Sequence, residues 1–136
     1  MTGAAATTAT ALRGRRVLVA EDEYMIAQEV AGMLSEAGAE ALGPVARVGD
    51  ALRLLASEAG RIDAALLDVN LRGEAVWPAV DALLARGVPV VLTTGYDAGA
   101  IPRAYAALPR CEKPATGRDL ARALAHALAP RSSAEA

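Results

Sequence analysis

Five short apolar runs recur along the chain: Val17 to Ala20, Ala41 to Val45, Ala64 to Leu67, Val88 to Leu92 and a weaker one from Arg110 to Glu112. They constrain the fold more than any other feature, because four or five apolar residues between turn signals make a buried strand, and helical patterns lie between them. Ile26, Val30, Met33 and Ala37 step by four, three and four, the spacing of one helix face, and Gly38 follows as a C-terminal stop. Leu52, Leu55 and Ala59 make a second face, Val76, Val80 and Leu83 a third, and Leu120, Leu124 and Ala127 a fourth, with Thr116 as N-cap. The strands lack strict alternation, so both of their faces are expected to be covered. The pattern predicts an α/β fold: a doubly wound, five-stranded parallel sheet between helices, joined by right-handed crossovers, in strand order 2-1-3-4-5. From Asp97 to Leu108, Gly99, Pro102 and Pro109 leave room for about two helical turns, so the fourth helix should be short or irregular.

At 136 residues the chain has the length of one domain. Residues 1–14 are expected to be a disordered tail, 15–129 the domain, and 130–136 a fraying C-terminal tail of small and polar residues. Every apolar run is broken well before the ~20 residues of a membrane span. No basic stretch followed by an apolar one marks a secretory signal. Cys111 is the single cysteine, so no internal disulfide can form, which fits a reducing compartment and makes the cytoplasm the expected location. A net charge of −2 without a basic cluster argues against nucleic acid as a partner, and no membrane partner is expected.

In an open parallel sheet, functional residues collect at the carboxyl ends of the strands. Strand one ends in VLVAEDE, with Glu21, Asp22 and Glu23 adjacent; strand three ends in Asp68 within LLDVNLRG; strand four ends in Thr93 and Thr94 before Gly95; strand five ends in Lys113. Glu21, Asp22 and Asp68 offer hard oxygen ligands without His or Cys, which suits Mg2+. On this reading a dication, rather than a salt bridge, neutralises the crowded carboxylates. Glu23 lies one residue further on, where an acid suits the positive end of a helix dipole. Asp68, approached by the metal and by Lys113, is placed to accept a phosphoryl group, with Thr94 hydrogen-bonding a transferring oxygen in the product.

These four segments resemble the motifs of bacterial response regulator receiver domains, over Arg16 to about Ala129. The resemblance implies the flavodoxin-like fold, Asp68 as phosphoacceptor, and a Mg2+ site of Glu21, Asp22, Asp68 and the backbone carbonyl of Asn70. VLTTGY and CEKP resemble the family's switch hydroxyl with its small neighbour, Thr94 and Gly95, and its Lys-Pro pair, Lys113 and Pro114, whose peptide bond is cis in the family. Asn70 and Tyr96, two positions after the acceptor and after Thr94, correspond to side chains that flank the phosphoryl group, and Tyr96 is expected either to shield it from water or to point away as a loop or docking aromatic. The run Leu-Thr-Thr-Gly-Tyr is similar to Phe-Ala-Thr-Gly-x-Tyr of some single-domain receivers, lacking the Phe and one residue before the Tyr. Arg110 stands where many receivers carry an aromatic switch in strand five, and Ala115 where a Phe often follows Lys-Pro.

The implied role is a single-domain receiver with no appended DNA reader. It would take a phosphoryl group from a histidine kinase or phosphotransfer protein and signal by docking to a downstream protein of unknown identity. It would not be an enzyme beyond its own aspartyl phosphorylation and dephosphorylation. The sole histidine, His126, reads as a helix-surface residue rather than a phosphodonor. Two other readings stay open: a pseudo-receiver that docks without phosphorylation, and a toprim-like or haloacid-dehalogenase-like Mg2+ phosphoesterase. The latter folds want a second Asp two residues after the first, where this chain has Asn70.

Overall fold

In the computed structural model, which describes residues 10–57, 61–95 and 101–129, the apolar runs become strands that hydrogen-bond in parallel. The elements run β1 (Arg16–Ala20), α1 (Tyr24–Glu36), β2 (Glu40–Val45), α2 (Val48–Ser57), β3 (Ala64–Asp68), α3 (Trp77–Ala85), β4 (Val90–Thr94), a 3-10 turn (Arg103–Tyr105), β5 (Arg110–Glu112) and α4 (Gly117–Leu128). The five strands lie in the expected order, β2-β1-β3-β4-β5. Between β3 and α3 a small antiparallel hairpin pairs Asn70–Leu71 with Glu74–Ala75.

Side chains alternate across the sheet and feed two apolar cores. Leu18, Leu67 and Leu92 point into one beneath α2 and α3, whereas Val17, Val19, Leu66 and Val91 point into the other beneath α1 and α4. Because both faces are buried, β3 carries no exposed residue at all. Leu12, inside the stretch expected to be a tail, is fully buried in the second core, so residues 10–14 belong to the folded domain.

Local expectations hold with shifts of a residue or two. Gly38 ends α1 at φ +81°, and Thr116 caps α4 in a reciprocal capping box with Asp119. The apolar face of α2 is Val48, Ala51 and Leu55, with Leu52 only half-buried and Ala59 outside the described residues. Strand β4 is displaced two residues toward Thr94, the Pro89 carbonyl serving only to accept from Ala65 N–H. In the edge strand β2, Gly43 has φ +97°, and a Cβ there would lie 2.8 Å from Val45 N and 2.9 Å from Val19 O. Only glycine fits that close approach. The peptides before Pro44 and Pro114 are both cis.

Candidate functional site

The carboxyl edge of the sheet brings together the residues read from the sequence. Glu21 follows β1, where its amide donates to the Val45 carbonyl at 2.9 Å, and Asp68 is the last residue of β3. Both side chains are buried, at 5% exposure each. Lys113 follows β5, and its amide donates to the Thr94 carbonyl at 2.8 Å, so the end of β4 sets where the lysine starts. Its ammonium reaches Asp68 Oδ2 at 2.7 Å and Glu21 Oε1 at 3.1 Å.

Backbone amides fix each carboxylate from the other side. Glu23 N–H donates to Glu21 Oε2 at 3.0 Å, and Asn70 N–H to Asp68 Oδ1 at 3.1 Å. Arg72 N–H donates to Asp22 Oδ2 at 2.8 Å. That last bond depends on the hairpin turn, where Arg72 and Gly73 take φ of 53° and 83°, both left-handed, as a tight type I′ turn requires. The Asn70 side-chain oxygen accepts from Gly73 N–H at 2.8 Å and braces the turn. Motif reading missed Arg72, because a backbone donor leaves no signature in residue type. Leu-Arg-Gly-Glu carries only the weak signal of one turn glycine.

Acidic oxygens of Glu21, Asp22 and Asp68 all lie within 4.8 Å of one another. Burial pushes the Glu21 carboxyl above its usual 4.5, reinforced by the Asp68 charge and opposed by the Glu23 amide and Lys113. For Lys113, burial pulls downward, but the bonds to Asp68 and Glu21 outweigh it and hold the ammonium above its usual 10.5. The sequence reading that a dication rather than a salt bridge offsets the carboxylates is therefore corrected: Lys113 bridges two of the three. One ammonium against three carboxylates still leaves a formal charge of −2. That residue of charge, on hard oxygens, fits a divalent cation such as Mg2+.

Thr94 is buried at the end of β4, one residue beyond the partner of Asp68 in the sheet register, and Gly95 follows it half-buried. Tyr96 lies outside the described residues. Glu23 stays out of the acidic cluster and is exposed at the start of α1. His126 is exposed on α4. Arg110 is exposed on β5; the aromatic beside this region is instead Tyr105, stacked on Trp77 with ring centroids 4.4 Å apart. No helix among the described residues is long and apolar enough to cross a membrane.

No family model matches the chain. It is 34% identical over 92 residues to the transcriptional regulatory protein PdtaR of Mycobacterium tuberculosis, a match covering 67% of this chain and 44% of PdtaR. The chain thus spans less than half the length of that curated relative. Among solved structures, a response regulator receiver protein from Sinorhizobium medicae shares the fold at a TM-score of 0.71 and 22% identity, over 86% of this chain and 96% of that one. SdrG from Sphingomonas melonis Fr1 superposes with a TM-score of 0.75 at 38% identity, over 85% of this chain and 98% of SdrG, and a second SdrG structure is of its BeF3-activated conformation. Sequence identity at that level, sustained over nearly all of SdrG on one shared fold, goes beyond a common architecture, and the chain belongs to the response regulator receiver family.

Proposed function

We propose that this chain is a phosphorylatable receiver, which takes a phosphoryl group on Asp68 from a histidine kinase or phosphotransfer protein in the cytoplasm and signals by docking to another protein. The observation that carries this reading is Asp68 itself: a buried carboxylate at the end of the central strand, 2.7 Å from Lys113 and grouped with two further acids. An Asp68 oxygen bonds to phosphorus as the phosphorus–nitrogen bond of the donor phosphohistidine breaks, and the electron pair returns to the imidazole nitrogen, which takes a proton from solvent. Lys113 offsets the charge on the transferring oxygens, and the Thr94 hydroxyl donates to one of them in the product. Glu21, Asp22, Asp68 and the Asn70 carbonyl would hold Mg2+, which supplies positive charge beside the phosphoryl oxygens. Water later cleaves the acyl phosphate, restoring the carboxylate and releasing inorganic phosphate.

Around the product, Gly95 would leave space, a Tyr96 ring turned toward the group would shield it, and Asn70 would contribute its side-chain NH2, since its oxygen is held by Gly73. Trifluoroberyllate on a carboxylate stands in for a phosphoryl group, so the BeF3-activated form of SdrG supports the same chemistry here. Intact-protein mass after acetyl phosphate treatment tests the reading. Wild type with Mg2+ should gain one phosphoryl group, and Asp68→Asn or chelation should abolish the gain. A wild type that folds and binds Mg2+ yet gains nothing from acetyl phosphate or a phosphohistidine donor would instead be a pseudo-receiver.

A further inference from the structure

Beneath Lys113, in the second core, lies a cavity of about 100 Å³ between β1, α1 and the loop that joins β5 to α4. Its wall is apolar where it is deep: Val19, Val30, Leu66 and Leu120 are each at most 4% exposed. Four polar residues also line it: Glu21 and Thr93, both buried, Lys113 and Glu29. Lys113 lines the wall while its ammonium is committed to Glu21 and Asp68, and Glu29 is exposed on α1. Ala115 contributes only a methyl group to the lining, directly after the cis Lys113–Pro114 bond. A dry apolar space of similar order, about 150 Å³, is enough to take benzene.

We propose that this cavity is a ligand site for a small monocyclic aromatic cation, ring inward against Leu66 and Leu120 and ammonium outward at Glu29. The ring matches the apolar depth, where a bare charge would lose hydration without a partner. Glu29 supplies the countercharge at the exposed end, because Glu21 is already bonded to Lys113 and to the Glu23 amide. An occupant would press on the Lys113 side chain, the same side chain that holds Asp68, so the site reports to the acidic edge, with which it shares Glu21 and Lys113 as wall residues.

The probes are benzylamine and toluene, titrated into the full chain while amide and methyl chemical shifts are followed. Benzylamine should shift Val19, Val30, Leu66 and Leu120 saturably and give ligand contacts to their methyl groups. Ala115→Phe, which puts a ring into the space, should weaken it at least tenfold. Should that variant unfold, Ala115→Leu serves, with thermal melting as the check on folding. Glu29→Gln should weaken benzylamine several-fold and leave toluene unchanged. The site is refuted if neither probe gives saturable shifts at these residues, or if the folded Ala115 variants bind as wild type does. Toluene binding as tightly as benzylamine, with no effect of Glu29→Gln, overturns the cationic class.

Discussion

Strands β3 and β5 both end at the acidic edge, yet they are held in opposite ways. Every residue of β3 is buried, it pairs on both sides with β1 and β4, and Asp68 is gripped by an amide and an ammonium. Three-residue β5 pairs only with β4 and exposes Arg110 and Glu112. The 3-10 turn before it has no buried residue. Within that turn Tyr105 makes the fastening contacts: its ring stacks on Trp77 and its hydroxyl donates to Asp81 Oδ1 at 2.7 Å, both partners lying on α3. Few buried contacts mean low local stability, so the β3 side is suited to hold the reacting carboxylate and the β5 side to move.

Truncating each side is the most severe way to break that contrast. Leu67→Ala, beside Asp68 and fully buried, should cost about 2–5 kcal/mol in chemical denaturation. Leu108→Ala, half-buried ahead of β5, should cost only about 1 kcal/mol. Equal penalties would remove the distinction.

A functional version uses the Thr94 hydroxyl, proposed above to bond a phosphoryl oxygen, at a residue whose backbone carbonyl already accepts from Lys113 N–H and which the substitution leaves bonded there. Thr94→Ala should still be phosphorylated, but the phosphorylation-dependent change in amide exchange over residues 101–108 should vanish. If mutant and wild type change alike, the hydroxyl does not couple the sides.

The Tyr105 clamp can be taken apart in steps by exchange in the unphosphorylated protein. Tyr105→Phe keeps the stack and loses the bond to Asp81, so amides of residues 103–108 should exchange up to roughly tenfold faster, the factor for one ordinary hydrogen bond. Tyr105→Ala should exceed that, while β3 amides stay unchanged in both. Acceleration in β3 would show that the clamp supports the whole sheet.

The smallest effect sharpens the boundary of the loose side at α4. Hydrogen bonds from the Thr116 amide, chiefly, hold the Asp119 carboxyl below its usual 3.8. A depressed folded-state value contributes stability above pH 3.8 that is lost as pH falls through the lower folded value. The small stability difference between wild type and Asp119→Asn should therefore persist at neutral pH and close below pH 3.8. A difference that stays constant to pH 2 would assign it to side-chain shape rather than charge.

How far the chain can be read before folding depends on whether a signal is local. The runs ending at Ala20, Leu67 and Leu92 show their strands, because doubly covered strands need unbroken apolar residues, and the caps Thr116 and Gly38 act within one turn. The acidic residues and Lys113 were legible by residue type at strand ends. The Lys113 bridge to Glu21 was not, since it joins side chains 92 positions apart. Nor was the Tyr105 clamp, whose partners Trp77 and Asp81 become neighbours of the β4–β5 segment only once α3 packs beside it. The burial of Leu12 was hidden for the same reason: one leucine among small residues has no period, and only the packing of the second core gives it a place.

By itself, then, the sequence determined the order of elements, the doubly wound sheet and which chemical groups stand at its carboxyl edge, because these follow from apolar periodicity and strand-end position. Tertiary structure decided which carboxylates share the lysine, that a left-handed turn at Arg72 aims an amide at Asp22, and that a cavity opens behind Ala115. Those depend on distances between segments far apart in the chain, which are set only when the strands register and the helices close over both faces.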